Sequence, residues 1–228
     1  MAFRASNRFG RAAFRPDPRV DEVQIRRLRA DIQLDMHANR SELGRGWFAN
    51  AMFERAGGVL GGDAEYKRYL ADLRRYQTLG RGTRADVRLR LGMAKGSLPC
   101  QYLYDLGGLS TLRGYGFKKF TGDRMVLFNV EYWIDADAYW HRGAMLMDDL
   151  SMGIFVDVGS AWFAADAQNL QDRSDYLGSR PSLIERHMDL KKSFGFGLQL
   201  GNSRLNIAKA LDGVGRGWEF FARFGRTF

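Results

Sequence analysis

Cysteine and histidine are scarce in this chain, which has one cysteine and three histidines among 228 residues. A lone cysteine, Cys100, cannot form a disulfide within the chain. The histidines His37, His141 and His187 lie far apart in the sequence and show no spacing typical of metal ligands. We therefore expect no disulfide framework, no metal site and no other cofactor.

Long apolar runs and catalytic motifs are missing as well. No stretch approaches the roughly 18 apolar residues that a membrane-spanning helix requires, so the sequence excludes helical membrane insertion. It contains no Gly-x-Ser-x-Gly, His-Glu-x-x-His or phosphate-loop motif. We therefore predict that the chain is not an enzyme.

The dominant pattern in the sequence is an alternation of apolar and polar residues. Between Leu28 and Ala38 the even positions are apolar and the odd positions are polar, a period of two that predicts a β-strand. Similar or weaker alternation recurs along the chain, and no segment shows a convincing helical period. The nine predicted strands are 28–38, 47–55, 66–78, 85–93, 126–135, 150–162, 193–200, 204–211 and 218–228.

The predicted strands suit a bilayer better than a soluble core. Strands of about 9 to 11 residues with one apolar and one polar face are typical of barrels that cross an outer membrane. The connections at 80–83 and 201–203 are short, and those at 96–123 and 163–188 are long, as in barrels with short periplasmic turns and long outer loops. The connection at 137–149 is the exception, a longer periplasmic turn. The sequence therefore predicts an all-β fold, an antiparallel transmembrane β-barrel.

The chain is basic, with 35 Lys and Arg against 26 Asp and Glu. In a soluble protein this excess would favour nucleic acid as a partner. Here the basic residues follow the polar faces of many predicted strands, where a water-filled lumen would hydrate them, and they form no single patch with stacking aromatics. We therefore expect a lipid bilayer as partner and no nucleic acid. A soluble β-protein is the remaining alternative.

One irregular stretch carries a family resemblance. The run LGGLSTLRGYGF at 106–117 resembles the loop motif of the BamA/TamA superfamily of outer-membrane assembly factors, also called bacterial surface antigens. Further stretches resemble family segments in the same order. They are LPCQYLYDLGG before the loop motif, then VLFNVEYWI, FVDVGSAW, GFGLQL and the terminal FARFGRTF.

The resemblance implies a barrel of about sixteen strands in the bacterial outer membrane, preceded by periplasmic POTRA domains. This chain would supply about nine C-terminal strands of such a barrel, over residues 23–228, after an irregular N-terminal segment at 1–22. POTRA or other upstream domains would lie outside this chain.

Arg113 is the central candidate for a functional residue. Strand phase places Glu131 and Asp157 on the polar faces of their strands, and the resemblance implies that these carboxylates hold the loop arginine. A guanidinium offers a planar fork of donors suited to bidentate carboxylate pairing, which lysine cannot copy. The alternative is a solvated loop arginine. The predicted loop motif comprises Gly107, Gly108, Leu112, Arg113, Gly114 and Tyr115.

Two further sets complete the predicted site residues. Gly195 and Gly197 lie on the polar side of a strand, which suggests either that the loop tip passes close to them or that the wall bends there. Phe220, Phe224 and Phe228 share one face of the last strand, where an outer-membrane protein carries its C-terminal assembly signal. The alternative for these phenylalanines is a plain lipid-facing role.

The resemblance implies a function in the assembly and insertion of outer-membrane proteins or in polypeptide translocation. The partners would be nascent outer-membrane proteins or a secreted polypeptide. Two alternatives stay open, a barrel that anchors a patatin-like phospholipase in the membrane and a two-partner secretion transporter. The domain upstream of the barrel would distinguish them.

Overall fold

The structure, a computed structural model, describes residues 24–37, 45–139, 150–164, 187–213 and 217–224. Strands account for most of this part of the chain. No helix among the described residues is long and apolar enough to cross a membrane. The strands are β1 (Arg27–His37), β2 (Gly46–Ala56), β3 (Tyr66–Gly80), β4 (Thr83–Gly96), β5 (Tyr104–Leu106), β6 (Phe120–Gly122), β7 (Arg124–Asp135), β8 (Leu150–Trp162), β9 (Lys191–Leu200), β10 (Ser203–Ala210) and β11 (Trp218–Phe224), and the 3-10 turns are Gly58–Leu60, Cys100–Tyr102 and Ala136–Ala138.

Nine of the strands form one antiparallel sheet, in the order β1-β2-β3-β4-β7-β8-β9-β10-β11. Each long strand therefore pairs with the next long strand along the chain, as in an outer-membrane barrel. Within the described residues β1 and β11 do not pair with each other, and each has one strand neighbour. β5 and β6 form a separate hairpin. The nine-stranded antiparallel fold predicted from the alternation is confirmed.

The two faces of the sheet differ in what they expose. On the outer face, large apolar side chains are exposed; Ile32 is 66% exposed, Ile154 55% and Phe196 50%. On the inner face, charged side chains are buried, and Glu54 and Asp157 are both 0% exposed. A soluble β-protein shows the reverse, with its apolar face buried. The sheet therefore has the sidedness that a barrel in lipid requires, apolar outside and polar inside.

The buried core lies between the inner face and the connection from β4 to β7. This connection contributes Leu106, Leu112, Tyr115 and Phe120, all buried, and they form one cluster with sheet residues such as Leu127. The ring centroids of Tyr115 and Phe120 are 5.1 Å apart in an edge-to-face arrangement, a favourable geometry for an aromatic pair. The connection thus supplies much of the apolar core on an otherwise polar face.

Five sequence predictions extend beyond the described residues. They concern the irregular segment at 1–22, most of the connections at 137–149 and 163–188, and the ends of the strands predicted at 28–38 and 218–228. Among the described strands, β3 and β4 extend further toward each other than predicted, because Gly82, with a φ of 64°, closes a two-residue turn between them.

Candidate functional site

The candidate site is the tip of the connection between β4 and β7, residues 107–119, which folds back against the inner face. The β5–β6 hairpin forms its base, with Tyr104 paired to Gly122 and Leu106 paired to Phe120. The tip therefore leaves and returns to the wall at neighbouring points. This geometry holds an irregular segment on the inside of the sheet.

Two glycines explain why the tip folds back. Gly107 and Gly108 have φ of 115° and 96°, values that glycine adopts readily and other residues do not. The Gly108 N–H donates to the carbonyl oxygens of Leu112 over 3.2 Å and Tyr115 over 2.9 Å. The Gly107 N–H donates to Oγ1 of Thr111 over 2.8 Å. The glycines thus reverse the chain and join both sides of the tip.

Arg113 occupies the end of the tip and is only 4% exposed. Its Nε and Nη2 donate to the two carboxylate oxygens of Asp157 on β8, over 3.0 and 2.5 Å. Its Nη1 donates to Oε1 of Glu131 on β7 over 2.5 Å. Its backbone N–H also donates to Asp157, over 3.0 Å. The structure therefore places the predicted arginine between the two predicted carboxylates, in a bidentate pair with Asp157.

Asp157 accepts hydrogen bonds from further side chains. Nδ2 of Asn129 donates to it over 2.7 Å and Oγ of Ser193 over 3.2 Å. Asn129 also donates to the carbonyl oxygen of Thr111 in the loop, over 2.9 Å. A buried carboxylate is costly unless it is paired and hydrogen-bonded, and both oxygens of Asp157 meet this condition.

Glu131 brings a second arginine to the site. Its Oε2 accepts from Nη2 of Arg204 on β10 over 2.8 Å and from Nε1 of Trp133 over 2.9 Å. Two arginines therefore meet two carboxylates, and their formal charges balance. Because β7, β8, β9 and β10 all contribute side chains, the contacts join four strands to the loop. The Arg113 network, as we call it, comprises Arg113, Arg204, Glu131, Asp157, Asn129 and Ser193.

Two aromatic rings lie against the arginines of the network. Cζ of Arg113 is 3.4 Å from the ring centroid of Phe155, and Cζ of Arg204 is 4.3 Å from that of Trp133. Both rings are buried, and cation–π attraction strengthens when the pair is desolvated. Burial by itself would lower the pKa of the Arg113 guanidinium, but the charges of Glu131 and Asp157 outweigh it, and the pKa lies above its ordinary value. The loop arginine therefore stays charged.

Gly114 and Tyr115 bring the loop against β9 and β10. A Cβ at Gly114 would lie 2.5 Å from Cβ of Ser193 and 2.6 Å from the backbone nitrogen of Ala210, so only glycine fits. The Tyr115 hydroxyl donates to the carbonyl oxygen of Lys192 over 3.1 Å. Burial raises the pKa of Tyr115 above its ordinary value.

Gly195 and Gly197 were predicted to lie close to the loop tip, and the atoms nearest to their Cβ positions belong to the barrel wall. The atoms closest to a Cβ at Gly195 would be the carbonyl oxygen of Ile207 and the Phe155 ring. A Cβ at Gly197 would lie 2.5 Å from Cη2 of Trp133. These glycines leave space for the rings that lie against Arg113 and Arg204, and a glycine in a strand often marks such a close approach.

The remaining predicted residues lie in two other places. Leu112 points from the loop into the core and is fully buried there. Phe220 and Phe224 are 72% and 80% exposed on β11, on the face opposite the Arg113 network. Phe228 lies outside the described residues.

Sequence reasoning missed four side chains that complete the site: Asn129, Phe155, Ser193 and Arg204. Asn129 and Phe155 lie two residues before the predicted carboxylates on the same strands, so strand phase alone could have found them. Ser193 and Arg204 lie on other strands. Only the register of β8, β9 and β10 brings them to the site.

These features together define a class of protein. Long antiparallel strands, an exposed apolar outer face and an ordered loop buried against a polar inner face are the properties of a transmembrane β-barrel. Side chains of the barrel wall bind the loop on the inner face. The candidate site therefore consists of contacts within this chain.

The family follows from a match to a family model. The model described as the Omp85 superfamily domain matches residues 24–216, and the chain belongs to the Omp85 superfamily. The BamA/TamA resemblance found in the sequence is thereby confirmed. Membership of this family implies a location in the bacterial outer membrane.

A solved structure has the same fold. The crystal structure of BamA from Haemophilus ducreyi lacking POTRA domains 1-3 is similar to this chain, with a TM-score of 0.66 and 18% sequence identity. The similarity covers 87% of this chain and 42% of that one, so this chain spans less than half the length of the structure it matches. Among curated proteins, none matches this chain in sequence.

Proposed function

We propose that this chain forms part of an outer-membrane barrel that assists the assembly and insertion of β-barrel proteins or the translocation of polypeptides, without covalent chemistry. One observation carries the proposal. Arg113 at the loop tip is held by Asp157 and Glu131 on the barrel wall. A passive anchor needs only an apolar outer face, whereas this contact also fixes a long loop against four strands.

The Arg113 network lies close to a sheet edge. It reaches β10, and β11 beyond it has one strand neighbour within the described residues. We propose that in the whole barrel this edge of β11 pairs only weakly with the first strand, which leaves backbone N–H and C=O groups without partners. A client strand satisfies those groups when it adds to the edge. In this proposal the network holds the wall in place while the edge next to it accepts a client.

The proposed partners follow from this arrangement. They are the lipid of the outer membrane and nascent outer-membrane proteins or a secreted polypeptide, with upstream POTRA domains that deliver the polypeptide. Phe220, Phe224 and Phe228 have a separate proposed role, as the signal by which this barrel is itself assembled. Phe220 and Phe224 are exposed on β11, where an assembly factor can contact them.

Vesicles that contain the full chain test the proposed function. A small unfolded outer-membrane β-barrel is diluted into them from urea, and its folding is followed by protease protection. We expect faster folding than in empty vesicles. We expect Arg113→Lys to remove the acceleration, because lysine keeps the charge but not the bidentate fork. Arg74→Lys is the matched control, because Arg74 makes a bidentate pair with Asp72 on the same face.

Each outcome of this experiment separates the candidate functions. Acceleration that persists unchanged in Arg113→Lys would contradict the role of the Arg113 network. If the chain gives no acceleration, uptake of an unfolded polypeptide into the vesicles identifies a secretion transporter. A result with neither acceleration nor uptake would contradict both roles and favour a membrane anchor, as for a patatin-like phospholipase.

A further inference from the structure

A row of basic side chains lies on the outer face, at the end of the sheet where the connection from β4 to β7 begins. Arg55, Lys67 and Lys95 lie on β2, β3 and β4, and the register pairs Arg55 with Lys67 and Lys67 with Lys95. Residues paired in this way lie on the same face of a sheet, and all three are exposed. The row therefore places three cations side by side on the surface that meets lipid.

The row has an excess of positive charge. Like charges directly opposite each other on neighbouring strands are destabilising. Among the described residues, no acid forms a salt bridge with Arg55, Lys67 or Lys95. Glu65 lies near Arg55, since both side chains come within 3.5 Å of the Cβ position of Gly58. Three cations with one nearby carboxylate carry a net positive charge, and a bound anion would reduce the repulsion among the cations.

An apolar groove of about 410 Å³ adjoins the row on the same face. The small residues Ala51 and Ala71, paired across β2 and β3, leave the depression. Phe53 and Tyr69 line it next to the cations, with ring centroids 5.1 Å apart, and Leu91 lines it on β4. The volume falls within the range of small-ligand sites, and the lining suits a hydrocarbon chain.

We propose that this surface binds an anionic lipid with a phosphate-bearing head group. Its phosphate contacts Arg55, Lys67 and Lys95, and one acyl chain lies in the groove. A cation row attracts any anion and an apolar groove accepts any acyl chain. Because Phe53, Tyr69 and Met93 in the groove lining lie two residues from the three cations, the surface selects a lipid that carries both groups. The inference rests on the outer face lying in lipid and is independent of the assembly role.

Native mass spectrometry of the full chain in detergent tests the proposal, with phosphatidylglycerol and phosphatidylcholine as probes. We expect the chain to retain one phosphatidylglycerol in preference to phosphatidylcholine. Arg55→Gln, Lys67→Gln and Lys95→Gln should each weaken retention about fivefold, and the triple variant should abolish it. The matched control is Arg75→Gln/Lys192→Gln/Lys209→Gln, which removes three outer-face cations that do not form a row and should retain the lipid.

A second variant tests the groove without changing the charge. Ala71→Leu fills the depression and should reduce retention of phosphatidylglycerol, with circular dichroism confirming that strand content is unchanged. Equal retention by wild type and the triple glutamine variant would overturn the proposal, as would an equal loss in the control triple variant. The proposal would also be overturned if Ala71→Leu retained the lipid and inorganic phosphate displaced it. That result would indicate a site for the anion alone.

Discussion

Two aspartates on the inner face, Asp157 on β8 and Asp72 on β3, pair with arginines in contrasting surroundings. The side chains of Arg113 and Asp157 are 4% and 0% exposed, and their closest approach is 2.5 Å. Asp72 pairs with Arg74 and Arg88 over 3.0 and 2.5 Å, but both of those arginine side chains are 20% exposed. The distances are similar in the two places. What differs is the access of water.

The two places also differ in charge balance. Around Asp72, Nε of Arg90 lies 3.9 Å away, and Arg74 is directly opposite Arg88 in the register. Three guanidinium groups thus share one carboxylate, whereas two arginines meet two carboxylates in the Arg113 network. Water and salt can screen such an excess at an accessible site but not in a dry one. The same type of ion pair is therefore fully buried at Arg113 and partly open to solvent at the arginines of β3 and β4.

Asp157→Ala is the substitution from which we expect the largest effect. It leaves the buried guanidinium of Arg113 with Glu131 alone, and removing one partner of a buried pair costs about 3 to 5 kcal/mol. The free energy of unfolding in urea should fall by that amount, and protease should cleave sooner between Leu98 and Asp123. Asp72→Ala is the control. A loss of equal size there would remove the distinction between the two places.

A double-mutant cycle measures the same difference as a coupling energy. We expect Arg113→Ala and Asp157→Ala to be coupled by about 2 kcal/mol in urea unfolding, because the residues are in contact and dry. The cycle of Arg88→Ala and Asp72→Ala should give less than about 1 kcal/mol. Full additivity of the first cycle would show that the Arg113 contact contributes nothing to stability.

Gly114→Ala tests how closely the loop lies against the wall. The new methyl group would meet Ser193 and the backbone of β10, and overpacking of this kind costs about 1 to 3 kcal/mol. We expect faster proteolysis of the loop and no loss of strand content by circular dichroism. Gly116→Ala is the matched control, since nothing lies within 4 Å of its Cβ position. Equal effects of the two substitutions would contradict the close approach.

Arg74→Ala should have the smallest effect, because its side chain is partly exposed and Asp72 keeps its contact with Arg88 when Arg74 is removed. We expect a loss below about 1 kcal/mol that shrinks further as salt rises from about 0.05 to 0.5 M. Urea unfolding at the two salt concentrations measures it. An effect that salt leaves unchanged would show that the ion pair of Arg74 is as inaccessible to salt as that of Arg113.

Much of the fold could be predicted from the sequence, because alternation within a strand is a local property. The period of two identified the strands and assigned each side chain to a face, so that Glu131 and Asp157 were placed together on the polar side. Gly195 and Gly197 show the limit of this reasoning. What lies against a glycine is set by its neighbours on other strands, and Phe155 is directly opposite Gly195 only in the observed register.

The sequence by itself determined that the chain forms long strands with an apolar and a polar face, and that the loop motif carries an arginine able to pair with carboxylates. Only the tertiary structure decided which strands supply Ser193 and Arg204, and which rings lie against the arginines. It also decided that the arginine paired with Asp157 is buried, whereas those paired with Asp72 are partly exposed. The physical reason is that the side-chain period is set by the geometry of one strand, whereas register and burial depend on hydrogen bonds and packing between segments far apart in the chain.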